Sequence, residues 1–360
     1  MKRVIIVAGD KSGDLYGGFL SKKLREKCSS LEIISFGGDN LFKYSHYQII
    51  NLVNYSTIGL FEIVFYIKKF INLLKKTVEE IEKIKPDLII LIDFPDFNLR
   101  LAKILNKKFP LFYYVSPQVW AWRKKRINLI KKYIDRMIVV FEFEKEFYEK
   151  EKVDVFYFGH PLLEIVKKIN PQVKEIISFL PGSRKNEIKR HLPVMEKAKK
   201  ILEKELKGYS FRIIRPPHIE EEFYKNLKTT MNIVEHNYSL LEESKFIIAS
   251  SGTTTLEVAL LEVPFLIIYR VNPLTWFILK KLVKTNFIGM VNILASKKIV
   301  EELLQKKACP EKIAQLTLNY LKDEKKYSQL KENLKEIKTL LSPHNATENL
   351  ANFIIDYLSS

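Results

Sequence analysis

The sequence predicts an α/β protein made of two domains, each with a parallel β-sheet that is covered by helices on both faces. Short apolar, β-branched runs alternate with amphipathic helical stretches along the chain. The length of 360 residues exceeds that of an ordinary single core. A strand, a small-residue loop and a helix follow one another at RVIIVAGDKSGDLYGG and again at IISFLPGSRKNEIKRH. The same strand–loop–helix arrangement therefore occurs at two places, as expected at the start of each of two domains.

The elements can be placed from apolar runs and helical periodicity. Strands of the first domain are expected at 3–8, 32–36, 88–92, 111–115, 136–140 and 155–158. Strands of the second are expected at 176–180, 211–214, 246–249 and 265–269, and helices include 18–27, 192–206 and 256–261. Two prolines bracket a short connection in GHPLLEIVKKINPQ, which predicts domains at 1–165 and 166–342. A final helical segment, 343–360, could pack on either domain.

The composition is that of a globular protein, with 47% hydrophobic and 28% charged residues. The two cysteines, Cys28 and Cys309, are too few for a disulfide framework or a Cys/His metal site, which favours a reducing compartment. The apolar run in MKRVIIVAGD is too short for a signal peptide, and no stretch has about 18 uninterrupted apolar residues. We expect a cytoplasmic protein.

The formal net charge of +18 limits the classes of partner. A field of this sign attracts nucleic acid, anionic lipid or acidic substrates. Lysine and glutamate are both abundant, so a lysine-biased or heat-adapted surface explains the charge equally well.

A cluster of small and hydroxylated residues follows the predicted strand at 246–249, in ASSGTTTLEVALLEVP. Ser251, Gly252 and Thr253 lie where this strand ends and a helix begins, a position at which backbone amides can bind a diphosphate. Glu257 lies about one turn later and could accept hydrogen bonds from ribose hydroxyls. The alternative is an ordinary helix start with a solvated glutamate.

Two further strand–helix loops have similar composition. In LPGSRKNE, Arg184 could make a forked contact with a phosphate, because an arginine near a helix start is unfavourable without an anion. In AGDKSGDLYGG, Gly9, Ser12 and Gly13 could approach a sugar or phosphate, although the loop matches neither G-x-G-x-x-G nor a P-loop. A tight turn without a ligand explains the latter loop nearly as well.

Candidate acid–base groups follow the buried strand in KPDLIILIDFPDFN. Asp93 and Asp96 would face the same edge as the loops above, and partial burial would raise their pKa values. Their alternative role is to cap a helix that begins near Asn98. His160 in FGHP is a rival base, although a histidine between domains is more often structural. Asp-x-x-Asp is a weak metal signal, and no metal is predicted.

Two segments are candidates for contact with large anionic partners. YYVSPQVWAWRKKRINLIKKY, 113–133, combines aromatic and basic residues, which suits nucleic acid, a lipid phosphate or simply a solvated helix. In the helix at 58–84, one apolar stripe (Leu60, Val64, Ile67, Ile71, Leu74, Val78 and Ile81) fits a core. Phe61, Phe65 and Leu73 form a second apolar face among Lys68, Lys69 and other lysines. This face favours shallow membrane insertion over two-sided burial or a homodimer contact.

Seven motifs together resemble the lipid-A-disaccharide synthase family, and they are spread over most of the chain. They are AGDKSGDLYGG, IDFPDFN, YYVSPQVWAWRKKRI, FGHP, LPGSRKNE, SSGTTTLEVALLEVP and YRVNPLTWFILKKLVKTNFIGMVNILA. The resemblance implies a GT-B fold, two Rossmann-like domains around a cleft with the last helix returning to the first. It also implies inverting transfer of 2,3-diacylglucosamine from its UDP derivative to the 6-hydroxyl of 2,3-diacylglucosamine 1-phosphate, without a metal or cofactor, on the cytoplasmic face of the inner membrane.

The resemblance also assigns roles to residues at matching positions. Asp96 would be the base, Arg184 would neutralise the diphosphate and Glu257 would hold the ribose. Asn292 and Ser12 would line the nucleotide and sugar sites. Asp87 matches a position important in the family, with a structural role of its side chain as the alternative. The sequence has Asp10 where the family is expected to have Glu, and Thr254 and Thr255 where it is expected to have Ala.

Two other interpretations remain open at this stage. Another GT-B enzyme acting on a UDP-sugar, such as a 2-epimerase or the peptidoglycan N-acetylglucosaminyltransferase, would use the same loops. A basic nucleic-acid-binding protein would use 113–133, and its binding would depend steeply on salt.

Overall fold

The chain folds into two compact units, each with its own sheet. The computed structural model describes residues 1–56, 63–121, 123–273, 276–277 and 285–360, and of these it leaves out the side chains of 56 and 63–67. The first unit comprises Met1–Glu164 and Leu341–Ser360, and the second comprises Ile165–Leu340. All pairs of neighbouring strands are parallel. The predicted α/β class with two parallel sheets is confirmed.

The first unit has a seven-stranded sheet of order β3-β2-β1-β4-β5-β6-β7. Its strands are β1 Arg3–Ala8, β2 Glu32–Phe36, β3 Tyr47–Ile50, β4 Leu88–Ile92, β5 Leu111–Tyr114, β6 Arg136–Val139 and β7 Val155–Tyr157. Its helices include α1 Lys11–Lys27, α2 Asp39–Phe42, α3 Val53–Ser56, α4 Ile63–Ile84, α5 Pro95–Leu105, α6 Ile127–Tyr133, α7 Glu142–Lys150 and α8 Leu162–Ile165. A 3₁₀ turn, Lys124–Arg126, precedes α6.

The second unit has a six-stranded sheet of order β10-β9-β8-β11-β12-β13. Its strands are β8 Lys174–Leu180, β9 Ser210–Arg215, β10 Asn232–Glu235, β11 Ser244–Ser250, β12 Phe265–Tyr269 and β13 Glu302–Leu304. Its helices include α9 Lys185–Glu205, α10 Glu221–Lys225, α11 Tyr238–Glu242, α12 Thr254–Leu260, α13 Met290–Ala295, α14 Pro310–Leu321 and α15 Glu324–Leu340, with a 3₁₀ turn at Gln305–Lys307.

The predicted strands are all present, because continuous apolar runs mark strands that are buried on both faces. Three strands were not predicted, namely β3, β10 and β13. Each lies at an edge of its sheet. Since an edge strand is short and partly exposed, its sequence carries no continuous apolar run.

Helices α1 and α9 begin at Lys11 and Lys185, seven residues before the predicted starts at 18 and 192. Their first turns are rich in small and polar residues, which do not show apolar periodicity. The Asp10 carboxylate caps α1 by accepting a hydrogen bond from the Gly13 amide at 2.6 Å. Ser12 and Gly13, which the sequence placed in a loop, therefore lie in the first turn of a helix.

The last helix, α16 Ala346–Ser359, packs on the first unit, as the resemblance implies. The Phe353 ring lies 4.5 Å from that of Phe156 and 5.8 Å from that of Phe112, measured between centroids. The Thr347 amide donates to Glu164 Oε1 at 2.6 Å. Aromatic packing and this helix-start contact together fix α16.

Among the positions whose side chains the structure describes, helix α4 differs from the predicted pattern at two. Leu74 and Ile81 are buried as predicted, but Ile71, assigned to the core stripe, is 42% exposed. Leu73, assigned to the second apolar face, packs against the core. Phe61 and the side chain of Phe65 lie outside the described residues. Within the described chain, the structure contains no helix with the length and apolar character needed to cross a bilayer.

Candidate active site

The loops after β1 and β4 meet at the carboxyl edge of the first sheet, where Ala8 pairs with Ile92. A Cβ on Gly9 would lie 2.0 Å from Phe94 Cδ1, so only glycine permits this close approach. Asp93 and Phe94 have φ values of 41° and 46°, a left-handed conformation that is costly for residues other than glycine. The Asp93 carbonyl holds this turn by accepting from Tyr113 OH at 2.6 Å and Asn98 Nδ2 at 2.8 Å.

Asp93 is half-buried in this turn, with the Asp10 side chain beside it. Burial of the Asp93 carboxyl group, and after it the charge of Asp10, raises the pKa of Asp93 well above its usual range. Two neighbouring carboxyl groups hold a proton between them more readily than either alone. The expected rise in the pKa of Asp93 is thus found, with Asp10 as a contributor that the sequence did not suggest.

Asp96 lies in a different environment from the predicted one. Its side chain is 61% exposed, so it is not the partly buried carboxylate that the sequence indicated. Arg123 Nη1 donates to Asp96 Oδ1 at 3.0 Å, and Arg126 Nη2 donates to the same oxygen. Burial lowers the pKa of Arg126, and the Asp96 carboxylate opposes that effect. Asp96 is therefore held by two arginines of the SPQVWAWRKKR segment.

The loop after β5 is anchored by a buried glutamate. Glu144 Oε1 accepts hydrogen bonds from Ser116 Oγ at 2.6 Å and from Trp120 Nε1 at 3.0 Å. Glu144 Oε2 is buried and has no hydrogen-bond partner among the described residues. Burial raises the pKa of the Glu144 carboxyl group from an ordinary 4.5 to about 7. No sequence pattern indicated this role, since Glu144 lies in an acidic, helical stretch.

The raised pKa of Glu144 makes stability depend on pH. The folded protein binds the proton more tightly than the unfolded chain, so stability falls as pH rises from about 4.5 to about 7 and the penalty is complete above 7. Glu144→Gln should remove this slope and increase the free energy of unfolding at pH 8 by on the order of 2 kcal/mol. Urea denaturation between pH 5 and 8 measures both quantities.

Glu146→Gln is the matched control for this prediction, because Glu146 is on the same helix and its side chain is 70% exposed. It should change the free energy of unfolding by less than about 0.5 kcal/mol at either pH. Equal pH slopes for wild type and Glu144→Gln would contradict the assignment.

The contacts of His160 and Asp87 indicate that both residues stabilise the fold. His160 is buried between Tyr16 and Phe141, and its Nδ1 accepts from the Leu162 amide at 3.1 Å. Burial lowers the pKa of His160 to about 3, which makes it a poor base. Asp87 lies at the opposite, amino edge of the sheet and accepts from the Arg3 amide at 2.7 Å. This hydrogen bond lowers the pKa of Asp87.

In the second unit, Arg184 lies between β8 and α9 with 67% of its side chain exposed. Its Nη1 donates to Glu187 Oε1 at 3.1 Å, and Glu187 Oε2 accepts from the Ser183 amide at 3.2 Å. Gly182 has φ of +132°, a conformation that requires glycine at this turn. The guanidinium is therefore held near the helix start, with most of its surface open to an anion.

The segment after β11 forms the start of α12. The Ser251 amide already donates to the Ile268 carbonyl at 3.2 Å. The prediction that this amide binds a ligand therefore does not hold for the structure described here. Thr255, at the expected alanine position, is fully buried and donates to the Gly252 carbonyl at 2.7 Å. A Cβ on Gly252 would meet no atom within 4 Å, so open space faces that residue.

Glu257 is buried and faces His236, which follows β10. Glu257 Oε2 and His236 Nε2 are 3.1 Å apart, yet neither atom makes a well-aligned hydrogen bond to a described residue. Burial and then the Glu257 charge raise the pKa of Tyr238. A buried acceptor without an aligned donor is a site where a ligand hydroxyl can bind. His236 was not predicted, because NIVEHNY contains no recognised motif.

Asn292 does not have the surroundings of a nucleotide contact. It is fully buried, and its Nδ2 donates to Val300 O at 2.9 Å and Glu302 Oε1 at 2.8 Å. Its Oδ1 accepts from the amides of Ile299 at 2.7 Å and Val300 at 2.9 Å. All four hydrogen-bonding positions of the amide are used within the protein. Asn292 therefore positions the chain around α13, and its implied place in the lining of the nucleotide site stays a prediction.

A second unpredicted positioning residue, His191, joins two loops of this edge. Its Nδ1 lies 2.7 Å from the Pro181 carbonyl, and its Nε2 accepts from the Arg270 amide at 3.0 Å. This pattern corresponds to a neutral ring with the proton on Nδ1, and burial lowers the pKa of His191 accordingly. His191 couples the loop of Arg184 to the end of β12.

Both units therefore place their polar residues at the carboxyl edge of a parallel sheet, in the manner of GT-B proteins. Solved structures of UDP-sugar enzymes are similar in fold over nearly the whole chain. The structure titled S. aureus MnaA-UDP co-structure is 15% identical with a TM-score of 0.68, covering 100% of this chain and 97% of that one. UDP-GlcNAc 2-epimerase from Neisseria meningitidis bound to UDP-GlcNAc is 14% identical with a TM-score of 0.66, covering 98% and 100%.

The family follows from sequence comparison. The chain belongs to the lipid-A-disaccharide synthase family, whose model, described as Lipid-A-disaccharide synthetase, matches residues 4–354. A lipid-A-disaccharide synthase of Coxiella burnetii (strain CbuK_Q154) is 34% identical, with 100% of this chain and 99% of that one covered. Lipid-A-disaccharide synthase 1 of Legionella pneumophila (strain Philadelphia 1) is 35% identical, with 98% and 97% covered. The predicted family and the predicted enzyme class, a glycosyltransferase, are confirmed.

Proposed function

We propose that this enzyme transfers 2,3-diacylglucosamine from UDP-2,3-diacylglucosamine to the 6-hydroxyl of 2,3-diacylglucosamine 1-phosphate. The observation that carries the proposal is the family match over residues 4–354. The products are UDP and a β-1,6-linked disaccharide 1-phosphate. The acceptor oxygen forms a bond to the sugar C1, the C1–oxygen bond to the diphosphate breaks with inversion, and UDP leaves with the electron pair.

The second unit is the proposed binding site of the UDP moiety. Arg184 is exposed at the loop after β8, where a permanently charged fork can contact the diphosphate. Gly252 leaves space at the end of β11, and Glu257 Oε2 lacks an aligned donor that a ribose hydroxyl could supply. Two of the structures similar in fold are described as containing UDP or UDP-GlcNAc. In this proposal, Arg184 and Glu257 have the roles that the resemblance implies for them.

The first unit is the proposed site of proton removal. Asp96 is exposed enough to reach an acceptor hydroxyl, and two arginines fix the direction of its carboxylate. It accepts the proton of the 6-hydroxyl as that oxygen attacks C1. Asp93 and Asp10 lie beside the same edge, where burial and then the charge of Asp10 raise the pKa of Asp93. In this proposal they support the turn that carries Asp96 and do not take the proton themselves.

The substrates are acylated, so the enzyme must contact a membrane. Lys68 and Lys69 are exposed on α4, directly after a segment that contains Phe61 and Phe65. Together with a net charge of +18, these residues suit peripheral binding to an anionic inner-membrane surface. Co-sedimentation with vesicles tests this: equal binding to neutral and anionic vesicles would contradict it.

Identifying the products distinguishes this reaction from epimerisation of a UDP-sugar. Epimerisation is the alternative because UDP-GlcNAc 2-epimerases have a similar fold. The purified protein is incubated with both proposed substrates, and products are identified by mass spectrometry. We expect the disaccharide 1-phosphate and UDP in equal amounts. In a parallel incubation with UDP-GlcNAc alone, we expect no epimer. Formation of an epimer, or release of UDP without a disaccharide, would overturn the proposal.

A further inference from the structure

We propose that a surface cavity in the first unit binds the phosphate group of the acceptor sugar, an inference that rests on the proposed function. The cavity has a volume of about 440 Å³ and lies among the end of β3, α3 and α4. Its polar lining consists of two lysines, two asparagines and a tyrosine, namely Lys69, Lys76, Asn51, Asn54 and Tyr55. This volume is within the range of small-ligand pockets. We call it the α4 cavity.

The two lysines converge on the α4 cavity because they are seven residues apart on one helix. That spacing places both on the same face, about 10 Å apart along the axis. Neither lysine has an ion-pair partner in the parts of the chain that the structure describes. Lys69 Nζ lies 5.5 Å from the centre of the Tyr55 ring, which directs its ammonium group toward the cavity.

The remaining lining groups add hydrogen-bonding capacity with limited negative charge. Asn51 Oδ1 accepts from the Asn54 amide at 3.4 Å, and Asn51 Nδ2 donates to Asp39 Oδ1 at 3.3 Å. The Asp39 carboxylate therefore lies beside Asn51, and the lining side chains that the structure describes include two ammonium groups and no carboxylate. Two cations with amide and phenol groups suit a phosphate that is attached to a hydroxylated sugar.

The sheet topology places the α4 cavity at the same edge of the first sheet as Asp96, the edge where the strands end. Ile50 is the last residue of β3, and all strands of this sheet are parallel, so the cavity adjoins the carboxyl edge. Three strand spacings separate β3 from β4, which is about 14 Å. A hexose phosphate together with the side chains of Lys69 and Asp96 can bridge that distance. Phosphate bound at the cavity would thus direct the far side of the sugar ring toward the proposed base.

The assignment to the acceptor follows from the charges that the reaction requires. In the proposed reaction, Arg184 of the second unit binds the diphosphate of the donor. The acceptor carries the one other phosphate group of the two substrates. A bilayer phospholipid offers similar chemistry. The α4 cavity, however, combines its lysines with two carboxamide groups and a phenol, which can hydrogen-bond the hydroxyls of a sugar ring. It therefore fits a sugar phosphate better than a phospholipid at the surface.

The experiment compares two double variants on the same helix. Lys69→Gln with Lys76→Gln removes the cavity lysines, and Lys75→Gln with Lys83→Gln removes two exposed lysines that do not line it. The first measurement is a titration of wild type and both variants with glucosamine 1-phosphate, which is soluble and not acylated. We expect saturable binding by wild type and the control, and affinity at least about tenfold weaker in the cavity variant, the effect of losing a charge-assisted hydrogen bond.

The second measurement is steady-state turnover with the acylated acceptor. We expect kcat/KM for the acceptor to fall about 10- to 100-fold in the cavity variant, with KM for the donor unchanged. The control should change by less than about threefold. Both variants should keep the wild-type melting temperature, because exposed lysine substitutions have small effects on stability.

Three outcomes would overturn the inference, and a fourth would overturn only the proposed function. No saturable binding of glucosamine 1-phosphate by wild type would exclude the site, whatever the turnover. Equal losses in both double variants would indicate general surface charge. Loss of binding to phosphatidylglycerol-containing vesicles in the cavity variant, with sugar phosphate binding intact, would assign the cavity to a bilayer lipid. Sugar phosphate binding without any disaccharide product would contradict the proposed function and leave the phosphate site standing.

Discussion

Replacing Asp96 by Asn is expected to lower kcat about 10²- to 10⁴-fold while the affinity for UDP stays at the wild-type value. The physical reason is that a neutral amide cannot accept the proton of the acceptor hydroxyl, and general-base contributions have this size. The substitution is nearly isosteric, and Asn Oδ1 can still accept from Arg123. Steady-state kinetics with both substrates and calorimetric titration with UDP provide the two quantities.

Asp93→Asn is the comparison that makes the Asp96 prediction specific. Asp93 is in the same turn, but its carboxyl group is buried beside Asp10 and its pKa is already raised. We expect a loss of kcat at least tenfold smaller than that of Asp96→Asn, with an unchanged or higher melting temperature. If Asp93→Asn were the more damaging change at equal stability, the base would be the Asp10–Asp93 pair and Asp96 would only position the arginines.

Replacing Arg184 by Gln is expected to reduce kcat/KM for the UDP-sugar about 10²- to 10³-fold and to weaken UDP binding. A guanidinium that neutralises the departing diphosphate acts more strongly in the transition state than in the ground state, and removing one such donor has an effect of this magnitude. The ion pair with Glu187 is exposed, so its loss should change the free energy of unfolding by no more than about 1 kcal/mol.

Lys185→Gln is the matched control, since Lys185 is the next residue, is exposed and carries the same charge. It should alter kcat/KM by less than about threefold. Comparable losses for both variants would show that the effect comes from the general positive potential of the α9 start. In that case Arg184 would have no specific role in the reaction.

The prediction of the site from sequence succeeded unevenly, for reasons that particular residues make clear. The loops of Arg184 and Ser251–Thr253 lie at the carboxyl edge of the second sheet, because a small-residue segment between an apolar strand and a helix determines that position locally. The sequence placed Asp96 at the corresponding edge of the first sheet. It did not predict that Asp96 is exposed and paired with Arg123 and Arg126, about 30 residues later in the chain.

Asn292 and Asp87 show what a motif leaves open. Both occur in motifs that resemble those of the family, which implied that Asn292 lines the nucleotide site and left a structural role open for Asp87. In the structure, Asn292 uses its whole amide to hold α13, and Asp87 holds the Arg3 amide at the amino edge of the sheet. A recurrent polar residue can serve the fold as readily as the site, and only its hydrogen-bond partners distinguish the two roles.

The two parallel sheets, their buried strands and the loops that follow them could be predicted from the amino-acid sequence, because apolar runs and small-residue turns act over a few neighbouring positions. Three of the four edge strands and the pairings Asp10–Asp93, Glu144–Trp120, His236–Glu257 and His191–Arg270 became visible only in the folded protein. These partners are roughly 20 to 80 residues apart in sequence. Their burial and charge interactions arise only when separate strands are brought side by side, so no local pattern can specify them.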